Sequence, residues 1–195
     1  MLIDKRRFTR GDTIIEVMLA FVVFSMTIVG AFSLMNRGIA IAQRSLEMTQ
    51  VRQQIDSQIL LLKYAQKNPT LWASVKNKIT AAGSVVTLSS MQDKCPLVED
   101  LVTKKAFFMN RASSGVALES ISGSNYTAAN TYSKVNFDIV GGKAEGIFVQ
   151  IAQAENASGT TNRAYDIYVN ACWESIGTNI PMTTGTVVRL YDAGA

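Results

Sequence analysis

Two hydrophobic patterns divide this chain. Residues 1–11 form a short basic leader, and from Val17 to Met35 no residue is charged. That run approaches the roughly 20 apolar residues a helix needs to cross a bilayer. Its polar members, Ser25, Thr27 and Ser33, can satisfy their hydroxyls against the helix's own backbone. Beyond it the pattern changes. Leu46, Met48, Val51, Ile55, Ile59 and Leu62 recur mostly at three- and four-residue steps. Arg44, Glu47, Gln50, Arg52, Gln53, Asp56 and Gln58 fall to the other side of that stripe. The period predicts that the helix continues until Asn68-Pro69 stops it. A helix from about Thr13 to Lys67 would be roughly 80 Å long at 1.5 Å per residue. That length suits a spine, its first half packed with other helices and its second half covered by a head. Gly30 and Gly38 are the positions where it could bend or melt locally.

Asn68-Pro69 can also cap a second, short helix, with Leu71, Trp72, Val75 and Ile79 inward and Gly83 as its stop. Residues 84–105 read as irregular. Three alternating runs then predict strands: Val135, Phe137, Ile139; Ile147, Val149, Ile151; and Tyr165, Ile167, Val169. A glycine-rich turn, 141–146, separates the first two, and a polar loop, 154–163, the last two. Thr186 to Tyr191 is either an edge strand or a tail. Short turns between successive strands imply an antiparallel meander, one face on the long helix and one toward solvent. The fold class is therefore α+β, helix first and sheet second.

The 195 residues allow one domain with a core plus an anchor. The net charge of +4 is concentrated at the start, where Lys5, Arg6, Arg7 and Arg10 oppose only Asp4. The remainder is close to neutral, which gives no basis for direct nucleic-acid binding. There is no histidine, so the commonest general base and metal ligand are missing. No phosphate loop, nucleophile elbow or pair of acids at catalytic spacing stands out. The sequence predicts neither an enzyme nor a cofactor or metal site.

The basic cluster beside the apolar run keeps the N-terminus cytoplasmic and exports the rest, to a periplasm, a wall space or the outside. A signal peptide would share the basic start. This run, however, is long for one, continues into a helix, and is followed by Asn36-Arg37-Gly38-Ile39 instead of an Ala-x-Ala site. A plain single-pass anchor explains length and orientation but leaves Gly11 and Glu16 without a role. An acid at the head of a membrane helix requires a partner.

The segment Arg10-Gly11-Asp12-Thr13-Ile14-Ile15-Glu16-Val17-Met18-Leu19-Ala20 resembles the start of type IV prepilins and of the pseudopilins of type II secretion and competence systems. Their pattern is a basic leader, a glycine, an aromatic residue or methionine, Thr-Leu-Ile-Glu-Val and a long apolar helix. The resemblance covers roughly 25 residues. It implies that a membrane prepilin peptidase cuts between Gly11 and Asp12, that the new amine on Asp12 is a candidate for N-methylation, and that Glu16 pairs with the amine of a neighbouring subunit during filament assembly. It implies a pilin-like roll, built as a leader at 1–11, a spine helix at 12–67 with its transmembrane segment at about 14–35, and an exported head at 68–195. The partners it implies are the peptidase, other pilin or pseudopilin subunits, an inner-membrane assembly platform and the membrane itself. Asp12 departs from the pattern, since an acid there could compete with Glu16 for the neighbour's amine, and it points to a minor subunit. The same segment used only as a tether for an exported binding or enzymatic domain is the alternative.

Cys95 and Cys172 form an even pair in the segment expected to be exported, which predicts a disulfide, with two buried free thiols as the alternative. The loop it would close is worth roughly 4 kcal/mol on a chain-entropy account. Tyr126, Tyr132, Trp173 and Tyr191, in or near loops, form either an adhesive or DNA-binding surface or edges of the core. Asn125-Tyr126-Thr127 and Asn156-Ala157-Ser158 match the glycosylation acceptor spacing.

Overall fold

The computed structural model describes residues 12–112, 115–154, 162–175 and 180–193. The leader 1–11 and most of the polar loop 154–163, Asn156 included, lie outside them. Helix α1 runs Asp12–Lys67. No proline interrupts it, and Asn68 ends it. Asn68 then caps helix α2 (Pro69–Lys76), its Oδ1 accepting from the Leu71 N–H at 3.3 Å with Pro69 in the first turn. Helix α2 stops at Asn77, earlier than Gly83, so Ile79 lies in a strand and not on the helix.

The chain forms two compact units, divided between Ser45 and Leu46. In the first, every described side chain is exposed, although most are apolar. Ser25 Oγ donates to the Phe21 carbonyl and Thr27 Oγ1 to the Phe24 carbonyl, both at 2.7 Å, so these hydroxyls are satisfied within the helix.

The second unit comprises the rest of α1, helix α2 and the sheets. Its strands are β1 (Ile79–Thr80), β2 (Phe107–Ala112), β3 (Gly115–Ser120), β4 (Tyr126–Thr127), β5 (Lys134–Asn136), β6 (Lys143–Glu145), β7 (Ile147–Gln153), β8 (Asn162–Trp173) and β9 (Met182–Ala193). The main sheet has the order β3-β2-β7-β8-β9 and is antiparallel apart from β1, which pairs parallel with β7. A small sheet, β4-β6-β5, stands beside it. The Val135 run therefore belongs to a different sheet from β7 and β8, and Phe137 and Ile139 fall beyond β5 in a turn. The β2–β3 pairing has no forerunner in the sequence reading. Phe107, Phe108 and Met109 are all buried, so the run shows no alternation to detect.

One face of the main sheet lies on the helices. Ile167, Val188 and Leu190 share a crevice with Ile59 and Leu62 of α1, and the Trp72 ring of α2 meets Tyr165 edge-on at 5.9 Å. The other face, expected to be open to solvent, is covered over β7 and the middle of β8, while Val187, Arg189 and Tyr191 of β9 stay exposed on it. Residues 81–105 cover it with two 3₁₀ turns (Ala82–Ser84 and Leu88–Met91) and helix α3 (Val98–Thr103). Two buried amides fix this cover. Gln150 Oε1 accepts from the Val86 N–H at 2.8 Å, its Nε2 donates to the Lys104 carbonyl at 3.3 Å, and Asn170 Nδ2 donates to the Val86 carbonyl at 3.0 Å. Both polar groups of the Val86 backbone are thereby satisfied away from water. The Cys95–Cys172 disulfide, across 77 residues, is the covalent clasp on the same face. Gly146 makes the start of β7 possible. Its φ is +67°, and a Cβ there would run into the Cys172 carbonyl.

Candidate functional site

The N-terminal helix carries the candidate site. α1 exposes apolar side chains on all sides from Ile14 to Leu46. A helix that is apolar all round needs an apolar surrounding, and this one is long and apolar enough to cross a membrane once. Glu16 is the one acid on that stretch, one turn in from the helix start, exposed, and without a partner among the described residues. Gly11 lies outside the described residues. Asp12 opens the helix, and its side chain lies outside them. The sites the sequence singled out thus fall in two places: Glu16 on the exposed helix, and Cys95–Cys172 in the second unit.

From Leu46 onward the same helix behaves differently. Val51, Ile55, Leu62 and Ala65 are buried and Met48 and Ile59 partly so, but Leu46 is 64% exposed. The buried stripe is more polar than the sequence reading had it. Glu47 and Gln58, assigned to the outer side, face inward. Gln58 is fully buried and pairs with the backbone of Met109 in β2 as a strand would: Nε2 donates to the carbonyl at 3.0 Å, and Oε1 accepts from the N–H at 2.7 Å. Gln54 Oε1 accepts from the Val135 N–H at 3.3 Å. Glu47 Oε2 accepts from Trp173 Nε1 at 3.1 Å and from Ser175 Oγ at 2.7 Å. Glu47, Val51, Gln54, Gln58, Leu62 and Ala65 follow three- and four-residue steps, so spacing alone marked these three polar residues as inward-facing.

Of the loop aromatics, Tyr126 and Trp173 are buried in the core, while Tyr191 is 60% exposed on β9. Burial pushes the Tyr126 phenol well above its usual pKa, and its hydroxyl has no hydrogen-bond partner among the described residues. Asn125 is engaged in its own turn, donating to the Ser120 carbonyl and accepting from the Ser122 N–H. A cavity of about 490 Å³ beside the disulfide is lined by Asp93, Lys94, Cys95, Glu174 and Ile180. Among the described residues, no three histidine, cysteine, aspartate or glutamate side chains are grouped to hold a metal. Comparison of the chain with protein-family models, with curated proteins and with solved structures finds no match.

Proposed function

We propose that this chain is a prepilin-like filament subunit of the minor type, structural and not catalytic. The observation that carries the reading is Glu16, the single acid on an otherwise uncharged, fully exposed stretch of helix from Ile14 to Asn36, five residues after Gly11. An acid near a helix start is favoured by the helix dipole by a few tenths to one kcal/mol. Placing an acid toward the bilayer core costs about 3 kcal/mol on insertion scales. The difference calls for a cation, and the amine freed by cleavage after Gly11 in a neighbouring subunit supplies one. One acid and one amine per subunit propagate head to neighbour without closing, which makes a filament.

In this reading the prepilin peptidase removes Met1–Gly11 on the cytoplasmic side, and the amine on Asp12 is open to methylation. The helix stays in the inner membrane until an assembly platform extracts it among other pilin or pseudopilin subunits. The second unit is the exported head, and its helix-on-sheet layout is compatible with the pilin roll this reading expects. The Cys95–Cys172 disulfide supports export, since such bonds persist in oxidising compartments. Adhesion or motility, DNA uptake and protein secretion are the tasks such filaments serve.

The test is the intact mass and N-terminal sequence of the chain from native membranes or sheared filaments, together with a Glu16→Ala variant. Processing to Asp12 and loss of Glu16→Ala from filaments are expected. A chain beginning near Asn36 would mean a signal peptide. One retaining Met1, with Glu16→Ala behaving as the parent, would mean a tethered exported domain.

A further inference from the structure

The last strand of the main sheet is an edge without the usual protection. The register of β8 against β9 is unbroken from Asn162↔Ala193 to Trp173↔Met182. Which backbone groups of β9 remain free follows from the other side of β8. The Ala154 N–H donates to the Ala164 carbonyl, and the Cys172 N–H donates to the Gly146 carbonyl. Even-numbered residues of β8 therefore turn their backbone toward β7. In an antiparallel ladder, neighbouring residues alternate sides, so Tyr165, Ile167, Val169 and Ala171 turn toward β9 and bond Leu190, Val188, Thr186 and Thr184. The N–H and C=O groups of Thr183, Gly185, Val187, Arg189 and Tyr191 then point away from the sheet. Gln66 Nε2 takes the Tyr191 carbonyl at 2.7 Å, which closes that end. Among the described residues, no strand pairs with the open row from Thr183 to Arg189.

Proteins blunt such edges with proline, lysine, bulges or very short strands. β9 has none of these. It runs Met182–Ala193 with neither proline nor lysine. Its one cation, Arg189, is tied back to Asp166 of β8 in a two-bond pair, Nε to Oδ1 at 2.7 Å and NH2 to Oδ2 at 2.9 Å. The charge that could repel an approaching strand is thus neutralised on the sheet side.

We propose that the β9 edge is a self-association surface, where a second copy of this chain adds its own β9 antiparallel about a two-fold axis through Thr186. The row is self-complementary about that point. Gly185 lies opposite Val187 of the second copy and Thr183 opposite its Arg189, and each pair exchanges two backbone hydrogen bonds. The β-branched valine meets a glycine on both sides of the axis, and no arginine faces another arginine. Beside the row, a groove of about 590 Å³ lined by Val86, Leu88, Asn170 and Val187 receives the incoming Val187. Two-fold pairing joins chains two at a time and does not propagate. It stands on the β9 edge alone and does not depend on the filament reading.

The test uses the full chain in detergent micelles. All native cysteine is in the disulfide, so a new thiol is the only free one. Thr186→Cys sits on the axis and is expected to give a disulfide-linked dimer under mild oxidation, whereas Val188→Cys on the same face is expected to stay monomeric. Val187→Pro removes an N–H that points outward, so β8 pairing is retained. It is expected to weaken dimerisation by roughly tenfold or more in light scattering, with Val187→Lys behaving alike. The native disulfide and an unchanged circular dichroism spectrum report that each variant is folded. A folded Thr186→Cys that stays monomeric overturns the proposal. So does a folded Val187→Pro that associates as strongly as the parent, since association would then run through the apolar helix.

Discussion

Glu16 and Glu47 sit on one helix in opposite circumstances. Glu16 is exposed on an apolar surface and has no partner among the described residues. Glu47 accepts hydrogen bonds from Trp173 and Ser175 within its own unit. The same contrast holds for whole segments. From Ile14 to Leu46 the helix exposes apolar side chains on every side, while from Glu47 to Ala65 it buries a stripe in which amides and a carboxylate alternate with aliphatics. The inward-facing polar groups of the second segment, Glu47, Gln54 and Gln58, are matched within the chain. The one ionisable group between Ile14 and Asn36 has to be matched by something else. Unsatisfied polarity, more than hydrophobicity, is what separates an intermolecular segment from an intramolecular one.

Gln58→Leu breaks this contrast most directly, because it removes the fully buried amide from the inner stripe of the second segment. It leaves the buried N–H and C=O of Met109 without partners, and should lower stability by about 3 kcal/mol in denaturant unfolding of the full chain. Ser25→Leu should leave the same curve unchanged within about 0.5 kcal/mol, since Ser25 bonds only its own helix. If the two variants cost the same, the helix halves do not differ in the way argued.

Glu47→Leu tests the carboxylate on the same scale. It removes the acceptor of the buried Trp173 indole and should cost about 2 kcal/mol. Glu47→Gln keeps an acceptor oxygen and should cost less than half of that, read from the thermal midpoint. Equal losses would show that the charge matters and the hydrogen bonds do not.

The smallest effect is expected at Tyr126, where the match fails inside the core. Its hydroxyl is buried without a partner among the described residues, so Tyr126→Phe should stabilise by about 1 kcal/mol. The sign of the pH effect follows from the raised phenol. The folded state holds the proton above the ordinary value near 10, the unfolded state releases it there, and stability falls as pH rises past about 10. Tyr126→Phe should flatten that alkaline loss. An unchanged slope would assign it to other groups.

Much of this architecture was legible in the sequence. The uncharged run from Val17 to Met35, the stop at Asn68-Pro69, β7 and β8 from their alternation, and the Cys95–Cys172 pairing all rest on local composition, period or parity, and those survive folding. Glu16 was legible for the same reason: a single charge in an apolar run is conspicuous without coordinates. What had to wait for the tertiary structure was partnership. Gln58 and Glu47 read as surface residues because they are polar; their spacing puts them on the face of Val51 and Leu62, but only the fold brings their partners, Met109 and Trp173, to that face. β2 did not announce itself because burial on both faces erases alternation. The covered second face of the sheet depends on Gln150 and Asn170 reaching one peptide group at Val86. The helix, its span and its lone acid are properties of neighbouring residues, and the sequence determines them by itself. Which strand ends at an open edge, and which polar groups are matched, depends on residues brought together from across the chain, and only the fold decides that.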